Sequence, residues 1–347
     1  MSVIYNFKEN IKETEIKYVG EVIRSGGVVV FPTETVYGIG ANALDEESVL
    51  KIFKAKGRPS DNPLIVHIAD IKMLEDIVEE VSETENKLMN KFWPGPLTII
   101  LKRKGNISNS VTAGLDTVGV RMPNNNIALS IIKEAGVPIA APSANISGKP
   151  SGTRIEDIFE ELNGRVDIMI DGGFSEIGLE STVIKVEGEE VNILRPGKIS
   201  REEIEELGIM VKMDSHIFSD VKEDEIVASP GMKHKHYAPK TQTILLEYDS
   251  DENMINKMKK FLSNNISKKI AIICFEEHRT QYEKMGIICI SNGSKNDLNE
   301  ISRNIFTNLR KVDNLNVDIC VVEGVENKEA GTAIMNRLIR ACEYSKI

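Results

Sequence analysis

From Thr243 onward the chain alternates short apolar runs with amphipathic stretches, and this restricts its fold more than any other feature of the 347 residues. Runs at 243–248, 269–275, 287–291 and 317–323 have strand length, while 251–264, 277–285, 297–312 and 332–342 have helix length. Ile301, Ile305, Leu309 and Val312 recur at helical spacing and give the third of those helices an apolar stripe. Such alternation builds a small parallel sheet with helices on both faces. Residues 243–347 therefore read as a separate parallel α/β domain.

Upstream the pattern is still α/β but less regular. Residues 11–26 have helical character, and Gly27-Val28-Val29-Val30-Phe31 reads as a buried strand ended by Pro32. Asp45 starts a helix carrying Val49, Ile52 and Phe53 on one face. Strand-like runs follow at 64–68, 97–101, 118–120, 137–141, 168–170, 182–186 and 191–194, which extends this domain over 1–207. The stretch 208–242 is polar and acidic through Asp224, then turns to Ser229-Pro230-Gly231-Met232-Lys233-His234-Lys235-His236-Tyr237-Ala238-Pro239, and reads as an interdomain linker. Two cores suit a chain of this length.

A net charge of −10 and 5% aromatic residues argue against a general nucleic-acid sponge, so any nucleic-acid contact is expected to be local. Met1 to Glu15 lacks a signal-peptide core, and no apolar run approaches the roughly 20 residues of a membrane span, giving a cytoplasmic expectation with no membrane partner. Cys274, Cys289, Cys320 and Cys342 form no CxxC pair and are expected as buried free thiols.

Within this acidic chain, Lys51, Lys54, Lys56 and Arg58 form a positive island against the single acid Asp61. Arg grips phosphate or carboxylate in two places and Lys supplies a mobile charge, so the island suits a polyphosphate; a solvated helix end is the plain alternative. His67 sits in the apolar run Leu64 to Ile68, as a core histidine or a ligand group. The run from Ala140 to Thr153 is almost wholly small and hydroxyl residues, either a mobile loop or a donor array for phosphate and ribose oxygens. Arg121 and Arg195 end strands, and Glu180-Ser181-Thr182 enters another, which places polar groups along one sheet rim if strand directions agree. No GxxxxGK[ST] occurs, so a P-loop is excluded. Gly38-Ile39-Gly40-Ala41-Asn42-Ala43 fits a loose dinucleotide fingerprint, but Pro32 to Tyr37 separate it from the preceding strand, and a plain turn is the other reading.

Seven ordered motifs now stand out: Pro32-Thr33-Glu34-Thr35-Val36-Tyr37-Gly38, Lys56-Gly57-Arg58-Pro59-Ser60-Asp61-Asn62-Pro63-Leu64, Phe92-Trp93-Pro94-Gly95-Pro96-Leu97-Thr98, Val120-Arg121-Met122-Pro123, Pro142-Ser143-Ala144-Asn145-Ile146-Ser147-Gly148, Glu180-Ser181-Thr182-Val183 and Leu194-Arg195-Pro196-Gly197. By these, the chain closely resembles the YrdC-like family of threonylcarbamoyl-AMP synthases, and His236-Tyr237-Ala238-Pro239 resembles the hallmark of its longer, two-domain form. Lys185 and Lys198 depart from that pattern at peripheral positions.

The resemblance implies an α/β fold: a YrdC-like twisted mixed sheet with helices, followed by a smaller Rossmann-like parallel domain. It implies an enzyme, a nucleotidyltransferase that condenses L-threonine, bicarbonate or carbon dioxide, and ATP to threonylcarbamoyl-AMP and pyrophosphate. Magnesium accompanies the ATP, the product passes to the machinery that transfers threonylcarbamoyl to tRNA, and any contact of the chain itself with tRNA would be weak. Carried over to this sequence, Lys56, Arg58, Ser143 and Asn145 resemble the catalytic polar core. Arg58, Asn62, Thr117, Ser143, Ser151, Arg195, His234 and Tyr237 resemble ATP contacts, the last two on a lid. Thr35, His67, Arg121, the backbone at Ala141, and Ser181 resemble the threonine pocket. Two rivals remain at this point. One is a module gripping double-stranded RNA through residues 51–58, which the acidic balance disfavours. The other is carbamoyl transfer as in hydrogenase-maturation proteins, which the absence of CxxC pairs disfavours.

Overall fold

Val29-Val30-Phe31 is too short and too apolar for anything but a buried strand. The computed structural model, which describes residues 1–218 and 237–347, places it as one. The chain divides into two compact units, one of Met1–Ser147, Ser151–Glu176 and Glu180–His234, the other of Gly148–Pro150, Ile177–Leu179 and Lys235–Ile347.

The first unit holds β1 (Val3–Asn6), β2 (Val29–Phe31), β3 (Gly38–Asn42), β4 (Ile65–His67), β5 (Leu97–Lys102), β6 (Thr117–Arg121), β7 (Ile139–Ala140), β8 (Ile168–Asp171), β9 (Thr182–Glu187), β10 (Glu190–Arg195) and β11 (Met210–Met213). Among the described residues these form one mixed 11-stranded sheet in the order β1-β8-β2-β3-β7-β4-β6-β5-β9-β10-β11. Helices Glu13–Arg24 and Asn126–Ala135 cover one face with Ile16, Val19, Ile23, Ile127, Ile131 and Ile132, packed on Val29, Phe31 and Ile139. On the other face Val49, Ile52 and Phe53 of helix Glu46–Lys56 join a cluster with Val30, Ile39, Val66 and Val120. Sheet order matters most for function. β4 runs parallel to β6 with His67 opposite Arg121, and β5 runs parallel to β9 with Leu97 opposite Thr182. Residues far apart in sequence thus share one rim.

Two expectations change here. Gly38 to Asn42 is neither a turn nor a phosphate loop but strand β3, paired antiparallel with β2 and β7. Gly40 serves close packing: a Cβ there would lie 2.6 Å from both Ile139 Cγ2 and Phe31 Cε1. Within the stretch 208–242 expected as linker, Met210–Met213 is edge strand β11, paired parallel with β10.

The second unit contains β12 (Gln242–Leu246), β13 (Ile270–Cys274), β14 (Ile288–Ser291) and β15 (Ile319–Glu323), all parallel, in the order β12-β15-β13-β14. The middle strands β13 and β15 are buried throughout, as a parallel sheet covered on both faces requires. Ile301, Ile305, Leu309 and Val312 of helix Leu298–Val312 point into the core, and Asp297 caps that helix through the amides of Asn299 and Glu300, each at 3.0 Å. All four cysteines are free thiols; Cys274, Cys320 and Cys342 are buried and Cys289 is partly exposed.

Candidate active site

Helix Glu46–Lys56 is stopped by Gly57 in the left-handed conformation, so Lys56 falls in its last turn with its side chain directed inward. Lys56 is 2% exposed. Its Nζ donates to Ser143 O at 2.5 Å, to Asn145 O at 2.7 Å and more loosely to Asn145 Oδ1 at 3.4 Å. Ser147 N returns a bond to Lys56 O at 2.9 Å. The two stretches singled out by composition therefore meet, and the ammonium joins helix end to loop. Within the loop, Ser143 Oγ donates to Asn145 Oδ1 at 2.7 Å.

The 143–145 loop is laced to the turn before β3. Ala144 N donates to Tyr37 O, Tyr37 N to Gly152 O and Gly152 N to Ala144 O. That turn carries Thr33, Glu34 and Thr35, all buried. Arg121 reaches it from the end of β6: Nη1 donates to Thr35 Oγ1 at 2.9 Å, Nε to Gly95 O at 3.2 Å, and Nη2 lies 2.6 Å from Glu34 Oε1. Opposite Arg121 on β4, His67 is buried, and its Nδ1 has no hydrogen-bond partner. Burial, with the neighbouring guanidinium adding to it, lowers its pKa to about 3. The imidazole is therefore neutral at physiological pH.

Gly95 and Pro96 carry the rim onward, since Thr182 N donates to Pro96 O at 3.0 Å. Arg195 ends β10 and binds Ser181 through Nε and Nη2 to the carbonyl, at 3.1 and 3.0 Å, and through Nη2 to Oγ at 3.1 Å. Ser181 Oγ also pairs with Thr98 Oγ1 at 2.8 Å. Gly197 lets the chain pass this point, because a Cβ there would lie 2.3 Å from Thr182 N. Ser151 Oγ donates to Glu180 Oε1 at 2.5 Å, so the 143–152 loop closes back onto the Ser181 segment. The result is a ring of hydrogen-bonded loops along one end of the sheet.

Lys56, Ser143, Asn145, Thr35, Arg121, Ser151, Ser181 and Arg195 all lie in this ring. Arg58 is half-buried, with Nη2 on Asn62 O at 3.2 Å. Asn62 is fully buried, and neither its Oδ1 nor its Nδ2 has a hydrogen-bond partner. The Ala141 amide donates to Ile65 O, so a ligand reading Ala141 would have to use its carbonyl. Thr117 begins β6 while Arg121 ends it, which separates them by about 13 Å at ~3.3 Å per residue. Tyr237 belongs to the second unit, where its ring stacks on Phe306 with centroids 5.1 Å apart. His234 lies outside the described residues. Glu34 and Thr98 were not among the expected site residues. Glu34 could have been found from Thr33-Glu34-Thr35, three polar side chains where a buried strand ends, whereas Thr98 depends on β5 lying beside β9.

A family model described as telomere recombination matches residues 21–197, and one described as the threonylcarbamoyl-AMP synthase C-terminal domain matches 199–342. The threonylcarbamoyl-AMP synthase of Pyrococcus abyssi is 42% identical over 99% of this chain and 98% of its own length. That of Bacillus subtilis is 42% identical over 95% of this chain and 93% of its own. The crystal structure of P. abyssi Sua5 complexed with L-threonine has a TM-score of 0.91 to this chain at 40% identity, covering 100% of both. This chain belongs to the threonylcarbamoyl-AMP synthase family, in the form that carries the C-terminal domain.

Proposed function

We propose that the chain condenses L-threonine, bicarbonate or carbon dioxide, and ATP to L-threonylcarbamoyladenylate and pyrophosphate, for threonylcarbamoyl-adenosine formation in tRNA. Relatives of this name at 42% identity over nearly the whole chain support the activity. The observation that carries it into the site is the ring itself, where Lys56 is buried on the carbonyls of Ser143 and Asn145, and Arg121 and Arg195 are buried on the hydroxyls of Thr35 and Ser181, residues contributed by separate loops.

In this reading the threonine nitrogen, as the free amine, first bonds to the carbon of the one-carbon donor and gives up a proton; with bicarbonate a C–O bond breaks and water leaves, with carbon dioxide one C=O π bond opens, and either way a carbamate results. A carbamate oxygen then attacks the α-phosphorus of ATP, and the bond from that phosphorus to the bridging oxygen breaks to release pyrophosphate. One anion approaches another, so positioning and cationic stabilisation supply most of the rate. Lys56, Arg58, Ser143 and Asn145 would face the phosphates and carbamate, with Asn62, Ser151 and Arg195 as further ATP contacts. The unpartnered amide of Asn62 suits a nucleotide that fills both of its atoms. Thr35, neutral His67, Arg121, the Ala141 carbonyl and Ser181 would hold threonine. Thr117, at the opposite end of β6 from Arg121, would be a further ATP contact. Tyr237 and His234 would act from the lid.

Magnesium would be carried in on the ATP and would neutralise charge on the phosphate oxygens. The neutral oxygens of Ser143 and Asn145 fit a metal whose charge the phosphates themselves balance. Among the described residues no helix is long and apolar enough to cross a membrane.

Pyrophosphate release is measured from ATP and magnesium with and without L-threonine and bicarbonate. Release should require threonine, and release that ignores it would refute the reading. Arg58→Ala removes at least one charge-assisted bond of roughly 1.5–3 kcal/mol and should cut turnover by about ten- to a hundredfold.

A further inference from the structure

Glu34 is a carboxylate sealed into the first unit at 5% exposure. Its Oε1 lies 2.6 Å from Arg121 Nη2, yet the pair lacks the alignment of a hydrogen bond, and neither Glu34 oxygen has a hydrogen-bond partner. Arg121 Nη2 likewise has none, while its Nη1 and Nε are fixed on Thr35 Oγ1 and Gly95 O. Buried acceptors left unfilled are destabilising, and a buried ion pair gains little over an apolar one. Structure alone gives this pair no strong reason to exist.

A guanidinium beside a carboxylate does complement one ligand class well. An α-amino acid at neutral pH carries a carboxylate and an ammonium on the same carbon, and the two side chains present the matching charges in the same neighbourhood. Arg121 Nη2 can donate to the substrate carboxylate while Glu34 Oε2 accepts from the ammonium, so each unfilled group acquires a partner. Resting on the function proposed above, we infer that Glu34 is a substrate-binding residue that receives the α-ammonium of threonine. With Arg121 it admits α-amino acids and rejects the corresponding hydroxy acids. The competing role for Glu34 is a prop that only orients Arg121, and the two roles predict different selectivity.

The test is calorimetric titration of the full-length protein with L-threonine and with 2,3-dihydroxybutanoate of the same configuration, in which a hydroxyl replaces the ammonium. The wild type should prefer L-threonine by at least tenfold. Glu34→Gln should shrink that preference below about threefold, mainly by weakening threonine, with ATP affinity unchanged. Glu34→Asp, which keeps the charge, should retain the preference and serves if the Gln variant does not fold. Equal binding of the two acids by the wild type, or a Gln variant that weakens both by the same factor, would overturn the assignment. Failure of the proposed function reads differently: the wild type would then bind neither acid and release pyrophosphate without threonine.

Discussion

Replacing Lys56 with Met tests whether this buried ammonium holds the site loops together. Met keeps most of the aliphatic stem and removes the donor, leaving the carbonyls of Ser143 and Asn145 without the ammonium they now meet at 2.5 and 2.7 Å. Two charge-assisted bonds of about 1.5–3 kcal/mol each are lost, partly offset because a buried charge no longer has to be desolvated, for a net loss of about 2–5 kcal/mol. At roughly 2–4 °C per kcal/mol for a unit of this size, the melting temperature should fall by about 4 to 20 °C. The chain has a single tryptophan, Trp93, buried in the first unit with its Nε1 on Leu97 O at 2.7 Å, so its fluorescence reports that unit's unfolding. Lys54→Met is the control, since Lys54 is exposed on the same last turn and should change stability by no more than about 0.5 kcal/mol. A Lys56→Met protein that melts within a degree of the wild type would refute the reasoning.

Three further outcomes follow from the geometry. His67 is native-state neutral down to about pH 3 against an ordinary value of 6.5, so below 6.5 the unfolded chain binds a proton the folded chain refuses. Stability of the first unit should therefore fall as pH drops from 6.5 toward 5, by at most about 1.4 kcal/mol per unit, and His67→Gln should flatten that slope in Trp93-monitored urea unfolding. Gly197→Ala places a methyl 2.3 Å from the Thr182 amide and should destabilise the first unit by about 1–3 kcal/mol, read by the same fluorescence transition. In the second unit, Glu323 accepts from Phe275 N at 2.7 Å and Tyr282 Oη at 2.6 Å and lies 2.6 Å from His278 Nδ1. Glu323→Gln breaks this charged network and should speed hydrogen exchange at the Phe275 amide by at least tenfold.

The second unit was legible because each strand there is an apolar run bounded by helix-period stretches, and buried parallel strands leave that signature. Predicted strand 269–275 against observed Ile270–Cys274, and predicted helix 297–312 against Leu298–Val312, differ only at their ends. What escaped were strands whose identity comes from partners rather than from composition. β3 is glycine-rich because Phe31 and Ile139 press on it, and β1, mostly exposed, is a strand only by lying along β8. β11 is a short alternating segment in a polar stretch, paired to β10 from outside. The site divides the same way. Residue types and motifs pointed to Lys56 with Ser143 and Asn145, and to Arg121 with Thr35. The Glu34–Arg121 contact depends on the order β2-β3-β7-β4-β6 and the Thr98–Ser181 bond on β5 lying beside β9, and no local pattern contains either.

The acidic balance of the chain and its proposed anionic substrates are reconciled by how each cation is held. The bonds of Lys56 described above run to two carbonyls and an amide oxygen, and those of Arg195 to a carbonyl and a hydroxyl. Burial keeps water and salt from screening such a cation. The guanidinium of Arg121 lies beside the Glu34 carboxylate. In the proposed reaction the phosphates call for cations, whereas a zwitterionic amino acid needs both signs side by side. A net charge of −10 spread over the whole chain is no obstacle to either, since local fields in a low-dielectric rim are set by the nearest groups. Within residues 51–58, Lys56 is buried in the ring, Arg58 is half-buried, and Lys51 and Lys54 are exposed.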